Sequence, residues 1–120
     1  MSAALIKRMR EQRMRWVELE GDKAVRVIRP TQVEVMRHLF KAGDLSVSLE
    51  DVQRFTVDWR GFTEADLLGA AVGSSDPIEF SAELWLELSG EHATWLNQLA
   101  NSLLEMILEK YGAEKESAKN

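Results

Sequence analysis

The chain has 120 residues, enough for one domain with one modest core, and its balance of 45% hydrophobic and 29% charged residues is that of a soluble globular protein. It contains no cysteine, which excludes a disulfide framework and thiol chemistry, and no apolar run near the ~20 residues of a membrane span. The net charge of −5 divides unevenly, residues 1–42 carrying +5 and residues 43–120 carrying −10, a polarity that favours oriented encounters with charged partners or head-to-tail self-association.

Residues 1–13 read as a basic arm. Lys7, Arg8, Arg10, Arg13 and Arg15 are interleaved with Leu5, Met9 and Met14, a pattern for a short amphipathic helix that is marginal in isolation. Residues 14–112 read as the globular domain. From Trp16 to Arg29 apolar residues alternate around Glu20, Gly21, Asp22 and Lys23, which predicts a β-hairpin whose apolar face, with Val17, Leu19, Val25 and Val27, must lie on helices or on another chain. Pro30 ends the hairpin, and Thr31 with Glu34 has capping-box spacing ahead of a helix with Val33, Met36, Leu39 and Phe40 as its apolar stripe, stopped at Gly43.

A second capping pattern at Ser48–Asp51 opens a helix whose stripe is Leu49, Val52, Phe55 and Trp59. Gly61 bends the chain, so that Trp59 pins a hinge between two helices. Thr63 with Asp66 restarts the chain as a short helix with Leu67 and Leu68 inward, and residues 69–77 have loop composition. Ser81 caps a helix bearing Leu84, Trp85 and Leu88. The last helix carries Trp95, Leu96, Leu99, Leu103, Met106 and Ile107 and stops near Tyr111 and Gly112, leaving residues 113–120 as a disordered tail. The predicted class is α+β, mainly helical, with the N-terminal hairpin packed on a bundle of about four to five helices.

Candidate catalysts are sparse. His38 and His92 stand far apart with no ligand at metal-binding spacing. The carboxylates fall at helix starts, where capping explains them, with Asp58 beside Trp59 the one to inspect. Gly69 and Gly73 lack the Lys-Ser/Thr ending of a phosphate loop, and Ser74 and Ser75 lack a nucleophile elbow. No catalytic residue, metal site or cofactor is expected. The four tryptophans suit either a core or a binding surface, and the candidate partner-binding set is Trp16, Val25, Val27, Trp59, Phe62, Trp85 and Trp95, with Trp16 the one expected to be exposed.

The order hairpin, Arg29-Pro30-Thr31 with Glu34, Val57-Asp58-Trp59-Arg60-Gly61-Phe62-Thr63, then Phe80-Ser81 with Glu83-Leu84-Trp85, resembles the tail assembly chaperones and related small tail proteins of long-tailed bacteriophages, over residues 14–110. One residue rather than two separates Val57 from Trp59, and residues 68–76 and the basic start lie outside that pattern. The resemblance implies a non-enzymatic phage or prophage protein of the bacterial host cytoplasm. Such a protein binds the tape-measure protein, and with it the tail-tube protein, during virion morphogenesis, and often self-associates. The residues leave two rivals: a small regulatory protein binding nucleic acid through the basic arm, and a small enzyme using buried carboxylates.

Overall fold

The computed structural model describes residues 2–119, with side chains through Tyr111. Most of the expected helix starts occur where local chemistry dictates them. Thr31, Ser48 and Thr63 each accept a hydrogen bond from the amide three residues on, and Glu34, Asp51 and Asp66 each reach back to the capping amide, forming three complete capping boxes. Ser81 Oγ accepts from the Leu84 amide at 3.1 Å. Each box satisfies amides that a helix start otherwise leaves unpaired.

In chain order the elements are α1 (Ser2–Glu11), β1 (Met14–Glu18), β2 (Ala24–Ile28), α2 (Gln32–Glu34) running into a π-helical turn (Val35–Leu39), β3 (Phe40–Lys41), β4 (Asp44–Leu45), α3 (Leu49–Arg54), β5 (Thr56–Arg60), α4 (Glu64–Leu68), α5 (Ala82–Ser89) and α6 (Ala93–Lys119). The class is α+β. The described residues form six α-helical segments rather than four to five, several only one turn long.

The hairpin forms as the alternation requires, with Met14 opposite Ile28 and Val17 opposite Val25. It is not a lone hairpin. β5 pairs antiparallel with β2, giving the order β1-β2-β5, with an irregularity between Arg26 and Val27. This corrects the expected helix through Trp59: α3 stops at Arg54 and the chain turns extended. The spacing of Leu49, Val52, Phe55 and Trp59 suits a helix, but Thr56, Val57 and Trp59 favour strands, and the open edge of β2 supplies the ladder. The bend at Gly61 therefore joins a strand to α4, not two helices. Its φ is +79°, and a Cβ there would stand 2.1 Å from the Asp22 carbonyl oxygen in the hairpin turn, so the site requires glycine.

The segment after Thr31 also departs from expectation. The Phe40 amide bonds to the Val35 carbonyl, the i→i+5 pattern of a π turn. Val35 and Leu39 are buried against Ile107 of α6, whereas Val33, Met36 and Phe40 are exposed. Two apolar stripes compete on this segment, and packing on α6 selects the one with i,i+4 spacing. Gly43 is not a helix stop but half of a tight turn between β3 and β4, preceded by Ala42 at φ +53°.

The main core lies between one face of the sheet and helices α3, α5 and α6. Val25 and Val27 from β2 share this core with Leu99 and Leu103 from α6. At one end Phe62 is ringed by indoles: it stacks on Trp59 at 4.6 Å and meets Trp95 edge-on at 5.9 Å and Trp85 at 6.4 Å. Trp59 Nε1 donates to the Ile78 carbonyl at 2.7 Å, fixing the loop after α4 onto the cluster. Such edge-to-face packing adds directional preference to plain burial. Leu67 packs on the core as expected, but Leu68 is exposed. α6 continues past the stop expected at Tyr111 and Gly112, since one glycine costs a helix only about 1 kcal/mol and Ala113 to Glu116 are good helix formers. The disordered tail expected over 113–120 falls on residues whose side chains lie outside the description, with Asn120 wholly outside it.

Candidate protein-binding groove

Six of the seven expected partner-binding residues, Val25, Val27, Trp59, Phe62, Trp85 and Trp95, are buried in the core, so they build the domain and present no surface. Periodicity placed them on apolar stripes, and those stripes are consumed by packing inside the chain. Trp16 alone is part-exposed. Its ring carries the Arg60 guanidinium at 4.6 Å and the Arg26 guanidinium at 5.9 Å, a cation–π arrangement that holds it flat on the outer face of the sheet. The hairpin edges are likewise partly used. β2 is central, and β1 is tied to α6 by Gln98 Nε2 donating to the Glu18 carbonyl at 2.7 Å.

Four of the carboxylates are occupied as structural groups. Glu34, Asp51 and Asp66 complete capping boxes, and Asp58 accepts a hydrogen bond from the Trp59 amide at 2.8 Å. Asp66 also meets Lys23 Nζ at 3.1 Å, binding the hairpin turn to α4. Burial pushes the Asp66 carboxyl up, but hydrogen bonds from the Thr63 backbone and hydroxyl and the Lys23 ammonium outweigh it and hold its pKa below the usual carboxylate range. His38 is exposed, and His92 stacks on Trp95 with ring centroids 3.7 Å apart. Among the described residues no group of three or more His, Cys, Asp or Glu is placed to hold a metal ion.

An unconsumed apolar surface beside a groove lies around α1. None of its residues is buried, and Leu5, Ile6 and Met9 remain 61%, 57% and 65% exposed. Beside them runs a groove of about 1040 Å³ whose floor includes Met14, Ile28, Phe55 and Met106, drawn from β1, β2, the end of α3 and α6. A smaller cavity of about 260 Å³, lined by Met9, Val35, Ile107 and Tyr111, adjoins it.

The groove is cationic: its Arg and Lys lining residues outnumber its carboxylates six to two. Both carboxylates are engaged, Glu34 Oε1 accepting from the Thr31 amide at 2.9 Å and Glu109 pairing with Arg15 at 3.0 Å. Arg13 donates to the Arg29 carbonyl at 2.7 Å, and Arg29 to the Pro30 carbonyl at 2.9 Å. Burial, then the nearby Arg29 charge, lowers the Arg13 pKa, with Glu34 acting the other way. Arg10 has no ion-pair partner among the described residues, and Arg54 reaches Asp51 only at 4.0 Å.

Of the expected basic arm, Arg10, Arg13 and Arg15 converge on this groove, whereas Lys7 pairs with Glu11 at 3.9 Å one turn along α1 and Arg8 stands on the exposed helix. Sequence reasoning missed Arg29, Arg54, Phe55 and Met106, which reach the site from the ends of β2 and α3 and from α6; the Arg15–Glu109 bond there joins residues 94 apart. No helix among the described residues is long and apolar enough to cross a membrane. Comparison of the chain with protein-family models, curated proteins and solved structures finds no match.

Proposed function

We propose that the protein is a non-enzymatic assembly chaperone for a phage or prophage tail. It binds the helical tape-measure protein in the bacterial host cytoplasm before the tail-tube protein polymerises around it, and it self-associates. The observation that carries this reading is the unpartnered apolar face of α1 beside a wide groove with an apolar floor. A ten-residue helix is marginal alone, so α1 is suited to gaining its cover from a bound segment. Helix-in-groove docking uses such a surface. The resemblance in the Trp59–Thr63 and Phe80–Trp85 segments supports the tail-protein assignment, because it falls on the residues that close the aromatic core.

The test is co-expression with an aggregation-prone tape-measure fragment. The soluble yield of the fragment should rise, and the pair should co-elute on size exclusion. A fragment that stays insoluble and never co-elutes would sink the proposal. A tail-tube gene upstream and a very long tape-measure gene downstream are the expected genomic setting.

The convergence of Arg10, Arg13, Arg29 and Arg54 supports one alternative, a nucleic-acid-binding regulator. That reading predicts affinity for a DNA or RNA duplex that falls steeply with salt and disappears with residues 1–13.

A further inference from the structure

We propose that the groove beside α1 takes an acidic amphipathic helix from another protein, its apolar stripe on Ile6, Met9 and the groove floor and its carboxylates against Arg10, Arg13, Arg29 and Arg54. The inference rests on the protein-binding reading above and adds where the partner lies and what charge it carries.

Two observations select the occupant. The first is apolar: Ile6 and Met9, three residues apart on one face of α1, are exposed and line the groove whose floor includes Met14, Ile28 and Phe55, and Leu5, one turn back from Met9, is exposed as well. Side chains at this spacing form a ridge that an incoming helix packs against. The second is charge. An occupant with only apolar groups would strip water from the groove's arginines and leave their excess positive charge without an anion, which is unfavourable. Carboxylates flanking the apolar stripe remove that cost through charge-assisted hydrogen bonds.

A second copy of the chain in a two-fold contact through α1 fits poorly. It would set Lys7, Arg8 and Arg10 of one copy against the same residues of the other. A nucleic acid fits the arginines but offers no apolar face for Ile6 and Met9, and the chain as a whole carries −5. The crowding of positive charge has a further sign in Arg13, whose proton affinity is already reduced by burial and by Arg29.

The probe is a fluorescein-labelled synthetic 18-mer built on a Glu-flanked Leu/Ala heptad stripe, with a twin in which every Glu is Lys. Anisotropy is read with the full-length protein at low and moderate salt. The Glu peptide is expected to bind at least tenfold tighter than the Lys twin, and more weakly as salt rises. Met9→Asp and Arg10→Glu should each weaken it tenfold or more. Both side chains are exposed and outside the core, and unchanged thermal unfolding confirms that the variants fold.

Equal binding of the two peptides, or binding indifferent to both variants, would overturn the proposal. So would a DNA duplex that binds tighter than the Glu peptide, or a dimer in sedimentation equilibrium that Met9→Asp abolishes. Loss of charge discrimination with the tape-measure fragment still kept soluble removes this inference and leaves the functional reading. The reverse pair of results removes the tail assignment and leaves the groove.

Discussion

Replacing Gly61 by alanine separates two costs that glycine substitutions usually mix. The residue sits at φ +79°, and its missing Cβ would lie 2.1 Å from the Asp22 oxygen, 2.7 Å from the Asp22 carbonyl carbon and 3.2 Å from Lys23 Cα. All three atoms are backbone, so no side chain can swing aside. The left-handed conformation costs an L residue about 1–2 kcal/mol, and forcing apart two packed backbone segments adds about 1–3 kcal/mol, for a total near 3 kcal/mol. Gly21 is the control: its φ is +55° and nothing lies within 4 Å of its Cβ position, so Gly21→Ala carries only the conformational part. For 120 residues the unfolding entropy is about 0.25 kcal/mol per kelvin. Gly61→Ala should therefore lower Tm by about 12 °C and Gly21→Ala by about 4–8 °C, read by circular dichroism. Equal shifts in the two variants would refute the close approach of β5's end to the hairpin turn.

Four further outcomes follow from the geometry. Trp85→Ala should cost about 3–5 kcal/mol, since the indole is fully buried, whereas Trp16→Ala should cost less than about 1.5 kcal/mol; chemical denaturation measures both. Trp16→Phe should remove most of the iodide-quenchable tryptophan fluorescence, because the other three indoles are buried. The Asp66 carboxyl has a lowered pKa in the folded state, so the stability it contributes is present above the ordinary unfolded value of about 3.9 and is lost as pH falls through the folded value. Asp66→Ala should accordingly narrow the gap to wild type in melts run below about pH 4. Arg15→Ala breaks exposed ion pairs to Glu105 and Glu109 and should change stability by less than about 1 kcal/mol.

What the sequence discloses and what it hides divide by range of interaction. The caps at Thr31, Ser48, Thr63 and Ser81 are legible because cap and partner stand three residues apart. The hairpin is legible for the same reason. The strand over Thr56–Arg60 is hidden because its pairing partner, β2, lies some thirty residues earlier, while the local spacing of Phe55 and Trp59 continues the preceding helix pattern. Val33 and Met36 mislead because two stripes compete, and packing on Ile107, Leu45, Val47 and Tyr111, distant from them in sequence or on later elements, decides between them. The groove is the least legible feature. Its charge was visible at Arg10, Arg13 and Arg15, but its floor is assembled from four elements and has no local pattern to betray it.

The placement of α6 has a consequence for how the chain is made. The hairpin residues Val25 and Val27 share their core with Leu99 and Leu103, and Arg15 and Glu18 are tied to Glu109 and Gln98. A nascent chain emerging from the ribosome exposes its strands first, and the α6 residues that complete their cover follow only after more than seventy further residues, with α3 and α5 arriving in between. Strand β5 comes out in time to satisfy the β2 ladder but not to cover its apolar face. The native core thus closes late and cooperatively, and in that interval the half-made sheet is a substrate for holdase chaperones and a risk for edge-to-edge aggregation.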